Sequence, residues 1–453
     1  MKLQRLILLL MVIAAWSASP AVGAEPVSFR KQIAPILLDN CLACHGAKKA
    51  ESGYRLDNFE QLGKEGEGGS PGFAAKDLDE SEAFRLITSD DADERMPKDG
   101  DPLSKEQIDL IKRWIEEGIK YDGDDPQAQL AKIVPPPVHP DPIEAYPRTV
   151  PVTAMTFSAD GKELLVGGYH EVTVWNPADG KLLRRIKNVG QRTYALRLSP
   201  DGKTLAVACG SPGRRGELRL FEAASGKLLK VLLSTSDVVL DAAFNPKGDK
   251  IAAAAADNAI YVCDVASGKT DRVIESHSDW VTAIAWSRDG AKLVSASRDK
   301  TAKVFDLKTG DLQITYSGHG QPVRGVAFHP DGKEVFSSAA DNKIHRWKIA
   351  DGKKSADVSS FGGEVYKLSM YPETFFAGSA DKTVRQFDAK SHKQLRQYSG
   401  HQDWVYTTAY HKSAALLASA GFDGEVRVYN TSDGKQVVAF DAAPGYKKQV
   451  AKK

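Results

Sequence analysis

From about Thr149 to Phe440 the sequence repeats itself with a period of about forty residues, and nothing else in the chain constrains its fold as strongly. A turn of the form Ser/Asn/His-x-Asp/Lys-Gly recurs at Ser158-Ala159-Asp160-Gly161, Ser199-Pro200-Asp201-Gly202, Asn245-Pro246-Lys247-Gly248, Ser287-Arg288-Asp289-Gly290 and His329-Pro330-Asp331-Gly332. Each turn follows an alternating segment such as Val281–Trp286 and precedes another such as Lys292–Ser297. A third segment ends in an aromatic or apolar residue, and a fourth follows a Gly-Lys or Gly-Asp turn, as at Gly180-Lys181 and Gly310-Asp311. Seven such units start near Thr149, Gln191, Ser236, Ser278, Gly320, Gly362 and Gln402. A four-stranded unit cannot bury both its faces alone, so the repeats predict blades stacked around a channel, an all-β seven-bladed propeller over residues 149–444.

The remainder divides by composition. Residues 25–121 read as a small α-helical domain with Gly-rich and Asp-rich loops. Residues 122–148 hold Pro126, Pro135, Pro136, Pro137, Pro140, Pro142 and Pro147, whose fixed φ favours an extended, semi-rigid linker. Residues 445–453 form a basic tail. At the front, Lys2 and Arg5, the apolar stretch from Leu6 to Ala15 and the small residues Val22-Gly23-Ala24 have the layout of a signal peptide over residues 1–24. Its apolar core is too short to span a bilayer comfortably, so cleavage is preferred to an uncleaved anchor, and the protein is expected to be periplasmic or otherwise exported. No later segment is apolar enough to cross, so no transmembrane segment is expected in the mature chain. The chain carries 61 Lys and Arg against 59 Asp and Glu. Lys2 and Arg5 leave with the leader, so the mature chain is formally neutral and nothing in it points to nucleic acid.

One constellation implies specific chemistry: Cys41-Leu42-Ala43-Cys44-His45. Residues three and four apart share a helix face, so both thiols can reach the vinyl groups on one porphyrin edge while the imidazole turns to the iron. Phe29, Ile33, Ile36 and Leu37 keep helical spacing just before it. A redox dithiol is the bland alternative, and a zinc site would need a second ligand pair that residues 25–121 lack. For the opposite side of an iron, that region offers one methionine, Met96, in Arg95-Met96-Pro97; a thioether is a soft donor that raises a haem's reduction potential. Lys48, Lys49 and Lys98 are competitors. Ser104-Lys105-Glu106-Gln107 reads as a capping box that starts a helix with Ile108, Ile111, Trp114 and Ile115 on one stripe and Gly118 closing it. Trp114 is read as core. Cys209 and Cys263 fall singly on expected strands and are read as small buried hydrophobes, with a disulfide between them the lesser reading.

The repeat region resembles a WD-repeat propeller. The resemblance lies in Gly318-His319, Gly400-His401, His277 and the turn aspartates Asp257, Asp299, Asp341, Asp381 and Asp423. Six residues after each aspartate stand Cys263, Phe305, Trp347, Phe387 and Tyr429, of which only Trp347 is the family's tryptophan. The first two blades depart furthest, and an N-terminal strand from Ile143 to Tyr146 remains open as a contribution to ring closure. The resemblance implies structural roles for His277, Ser297, Asp299, His319 and Asp341.

The helical region is similar to the planctomycete-type cytochrome c domain. The matching pieces are Cys41-x-x-Cys44-His45-Gly46, Tyr54-Arg55-Leu56-Asp57, the stretch from Gly66 to Gly72, Arg95-Met96-Pro97 and Arg113-Trp114-Ile115. That similarity implies one covalent haem c on Cys41 and Cys44, with His45 and Met96 as axial ligands. Lys98 stands where the family often has a second proline.

A haem with both axial positions filled suits outer-sphere electron transfer rather than turnover. The expectation is therefore a non-enzymatic periplasmic electron carrier, with redox partner proteins and a further protein docked on the propeller. The alternative is a redox enzyme whose cytochrome domain feeds a second cofactor or substrate site in the propeller. The histidines or tryptophan-rich blade motifs that such enzymes would need are not found.

Overall fold

The computed structural model describes residues 25–46, 50–98, 100–135 and 137–446. The expected signal peptide, Lys48, Lys49 and most of the basic tail lie outside these residues. The described residues form two units, one up to Pro135 and one from Pro137 onward.

In the first unit a π-helical turn, Phe29–Ile33, runs into α1, Ala34–Asn40, where Pro35 stands in the first turn and needs no backbone donor. α2 is Glu82–Ile87 and α3 is Lys105–Glu116. The capping box forms as expected: Gln107 N–H donates to Ser104 Oγ, and Ser104 N–H donates to Gln107 Oε1. Gly118, at φ +94°, ends the helix in the left-handed conformation that glycine adopts without a Cβ clash. Trp114 is fully buried, stacks on Phe29 at 5.4 Å, meets Phe73 edge-on at 5.6 Å and donates from Nε1 to the Lys120 carbonyl, so it is core.

The Pro-rich segment differs from the extended, semi-rigid linker expected over residues 122–148. Its first half belongs to the helical unit: Leu130, Ile133 and Val134 are buried there around the short α4, Leu130–Ile133, and Leu130 N–H donates to the Asp57 carbonyl. Three apolar residues at helical spacing outweigh proline's preference for an extended chain here, and the prolines take over only from Pro135. The second half is a strap on the propeller. Arg219 donates to the Pro137 carbonyl, His139 lies 2.6 Å from the Glu217 carboxylate, and Tyr146 Oη donates to Glu171, itself paired with Arg185. The strap helps to cover Glu171 and Glu217, buried carboxylates that proline content does not signal.

The second unit is a seven-bladed propeller. The blades span residues 155–186, 192–235, 239–274, 281–316, 323–360, 365–398 and 405–441, and each is a four-stranded antiparallel sheet of consecutive strands. Each innermost strand touches those of the two neighbouring blades, and the last returns to the first, so the ring is closed. Second strands are covered on both faces by adjacent blades, which accounts for small-residue runs such as Ala252 to Ala255. Lys367, on the inner strand of the sixth blade, donates from Nζ across the channel to the carbonyls of Tyr194 and Leu240 at 2.8 and 2.9 Å.

No strand is borrowed to close the ring. The first and last blades share a core that includes Met155, Phe157, Trp175, Ala418 and Val426, and Trp175 lies 4.7 Å from Phe440. Val152 N–H donates to the Gly421 carbonyl and Tyr146 N–H to that of Pro444, so residues 143–146 add backbone and side-chain bonds rather than a strand. Cys209 and Cys263 are buried and free, on different blades.

Three blades carry the expected histidine relay. His277, His319 and His401 donate from Nδ1 to Asp299, Asp341 and Asp423 and accept at Nε2 from Ser295, Ser337 and Ser419. Trp347 completes one relay with a bond to Ser337. The histidine's partner in the fourth blade is thus Ser295; Ser297 instead accepts from Asp299 N–H and donates to the Asp279 carbonyl.

The strap anchor gives a stability test. Burial alone would raise the Glu217 carboxyl, but hydrogen bonds from His139 and Arg219 outweigh it and hold the group below the ordinary glutamate range. Glu217→Ala leaves the fully buried Arg219 without its counter-ion and is expected to cost about 3–5 kcal/mol in denaturant unfolding of the propeller. Because the folded carboxyl is depressed, its stabilisation is present above the ordinary glutamate pKa and is lost as pH falls through the folded value. The wild-type advantage over Glu217→Gln is therefore expected to shrink in acid.

Candidate functional site

The helical unit encloses a cavity of about 400 Å³, within the usual range for small-molecule sites, and most of its wall is apolar. Leu37 of α1, Leu56, Phe73, Leu86 and Ile87 of α2, Leu103 just before α3, and Ile111 of α3 line it together with Cys41, His45 and Met96. Three of the four residues singled out in sequence thus share one wall. Cys44, the fourth, is exposed beside them and is not part of the lining.

The Cys-x-x-Cys-His motif lies just past the helix rather than on it, since α1 ends at Asn40 and Cys41 is its C-cap. Helical hydrogen bonding nonetheless runs through the motif: Cys41 N–H donates to the Leu37 carbonyl, and both Cys44 and His45 N–H donate to that of Cys41. That turn sets His45 one helical turn beyond Cys41. Gly46 then bends the chain where a Cβ would fall 2.8 Å from the Leu42 carbonyl, so the motif's terminal glycine is a steric requirement.

His45 is oriented by its neighbours. Its Nδ1–H donates to the Tyr54 carbonyl at 3.3 Å, and its carbonyl accepts from Leu56 N–H. With Nδ1 committed to a carbonyl, Nε2 is left as the nitrogen with a free lone pair, the tautomer that second-shell hydrogen bonds impose on metal-binding histidines. The Tyr54 ring packs edge-on to the imidazole at 5.8 Å and donates from Oη to the Leu62 carbonyl. Next to it Arg55 makes two parallel bonds to Asp57 at 2.8 and 2.9 Å.

Met96 is fixed from α2. Its N–H donates to the Leu86 carbonyl, and Arg85 grips Glu82 and Glu94, tying the loop before Met96 to the helix. Lys98 is exposed and away from the cavity, and no lysine among the described residues lines it. Burial, with Cys44 adding to it, pushes the Cys41 thiol up to about 12.

Sequence reasoning missed the Tyr54 carbonyl, a main-chain group with no residue signature, and the duty of Gly72. A Cβ on Gly72 would fall 1.9 Å from Tyr54 Oη, so the glycine gives the phenol its place. In the propeller two further clusters bring ligand-type atoms together, His319 with Asp341 and His345, and His329 with Asp331 and Glu334. His319 has both nitrogens engaged in its relay, and Glu334 is paired with Arg346.

Comparison with known families agrees with this layout. The family model described as planctomycete cytochrome C matches residues 41–100, a span that runs from the first cysteine past Met96. The model described as WD domain, G-beta repeat, matches residues 268–306, 310–348 and 392–430. The chain joins a domain similar to planctomycete cytochrome c to a WD-repeat propeller. The three WD matches cover the three blades that carry the His-Ser-Asp relay, so they mark where the relay is intact rather than where the propeller ends. A comparison with curated proteins found no match. No helix among the described residues is long and apolar enough to cross a membrane.

The cytochrome-like domain's Gly72→Ala variant is expected to lose about 1–3 kcal/mol from overpacking, as the Tyr54 ring is forced off the Leu62 carbonyl. Hydrogen exchange on the full chain checks this: the Leu56 amide, bonded to His45, should exchange faster while propeller amides keep their rates.

Proposed function

We propose that the chain is an exported electron-transfer cytochrome carrying one covalent haem c, with the propeller as a protein-docking scaffold. The observation that carries the reading is that one apolar cavity is lined by Cys41, His45 and Met96 together, and that His45 keeps Nε2 available because Nδ1–H is given to the Tyr54 carbonyl. These residues fit the group: Cys41 and Cys44 would bear its two thioether links, and His45 and Met96 would ligate its iron. When bound, such a haem supplies a one-electron couple whose potential a thioether ligand raises.

The chain's own residues do the rest. Leu37, Phe73, Leu86 and Ile111 keep water from the cavity, which favours the less charged redox state. The Arg85 clamp and the Leu86 carbonyl hold the Met96 loop in place, and Tyr54 fixes the imidazole. Because His45 and Met96 would both be taken up in holding such a group, we read the protein as a carrier rather than an enzyme. Lys367, bonded across the propeller channel, weighs against a second cofactor threaded through the ring. Export rests on the leader at residues 1–24 and on the haem attachment motif, which suits an extracytoplasmic protein.

The test is the absorption spectrum and redox titration of protein made in a host able to mature c-type cytochromes. Haem is expected to stay on the chain under denaturing conditions and to be lost in the Cys41→Ala, Cys44→Ala double variant. Met96→Ala should lower the midpoint potential by on the order of 100 mV and abolish the weak red band of thioether-ligated ferric haem. Protein without covalent haem after such maturation would overturn the proposal.

A further inference from the structure

The seam where the ring closes holds a second cavity, of about 410 Å³, formed by the lead-in to the first blade, the first and second blades and a loop of the last. Its wall includes Arg148, Arg192, Tyr169, Tyr194 and Phe422. Neither guanidinium makes a salt bridge or a side-chain hydrogen bond to any described residue, whereas Lys367 and Arg197, which line the cavity at the channel, are both tied to Asp241. Two free guanidinia at one small concavity attract an anion, and arginine's planar fork suits a carboxylate.

Two aromatic rings of the wall are exposed. Tyr169 and Phe422 stand 37% and 49% exposed, and Phe422 lies 6.0 Å from Trp404, another exposed ring. Tyrosine, tryptophan and arginine are the residue types that dominate protein-binding hot spots. Thr193 is buried, lines the same cavity, and its Oγ1 has no hydrogen-bond partner. A buried hydroxyl with nothing to bond is costly unless a ligand or water satisfies it. Asp403 and Glu364 lie close to the neighbouring Tyr406, so the cations here are local and the surface does not suit a long polyanion.

We propose that this cavity docks an acidic peptide segment of a partner protein. A carboxylate lies between Arg148 and Arg192, and an adjoining apolar residue packs on Tyr169 and Phe422. The proposal rests on the reading of the propeller as a docking scaffold and names the chemistry of what it docks.

The test uses the full mature chain and fluorescence polarisation of a labelled peptide in which aspartates and glutamates flank one phenylalanine. Its amide counterpart, in asparagine and glutamine, is the comparison, and succinate is the free-carboxylate arm. Saturable binding of the acidic peptide is expected, at least about tenfold weaker in the Arg148→Gln, Arg192→Gln double variant and weakened several-fold in Phe422→Ala. All three positions are exposed, so folding should be unaffected, and a circular-dichroism melt confirms it. The proposal is overturned if the double variant binds as wild type does, if the amide peptide binds equally, if wild type does not bind the acidic peptide, or if succinate binds as tightly as the peptide. Haem absorbance, recorded on the same samples, separates the two readings: peptide binding without covalent haem removes the electron-transfer proposal and leaves this one.

Discussion

A four-stranded sheet with two apolar faces is stable only between two others, and the propeller follows from that requirement. Seven blades satisfy it in a closed circle, and the closing contact, between the first blade and the last, is the one the chain cannot make by simple continuation. Here it is made by packing, with Trp175 against Phe440, by the Val152 to Gly421 backbone bond, and by a strap whose Tyr146 touches both sides of the seam. The strap's extended backbone follows from proline. Its attachment follows from two carboxylates, Glu171 and Glu217, that are buried with arginines and need the strap to finish covering them.

The helical unit solves a different problem with fewer residues. A small domain that keeps an apolar cavity of about 400 Å³ gives up part of its own core, and compensates through local constraints. These include the aromatic cluster around Trp114, the capping box of α3, and α4 folded back over Asp57. The same constraints hold the site: Phe29 and Ile33 seat the helix that delivers Cys41, and α2 and its Arg85 clamp carry Met96.

Much of this was legible in the sequence because it is written in side-chain pattern. The blade count and positions came from turn residues and alternation, which depend on local chemistry. Cys41, His45 and Met96 were found because their chemistry is distinctive, and the structure brings them to one cavity. What escaped was non-local or carried by the main chain. The Tyr54 carbonyl that orients His45 has no signature, and Ser295 rather than Ser297 meets His277 because strand register, not motif spacing, decides which serine faces the histidine. The Pro-rich segment departs from expectation because its composition speaks for proline while its position is decided by Leu130, Ile133 and two buried glutamates far along the chain.

The bond between Tyr146 and Pro444 places the start and finish of the propeller side by side. Since every sheet is built from its own four consecutive strands, the ring is close to a continuous loop with one cut in it. The location of that cut is a matter of genetic order rather than of architecture. Joining the neighbouring ends by a short link and opening the chain between any other two blades would leave every sheet whole, and a domain fused at the new opening would enter the ring beside a different blade.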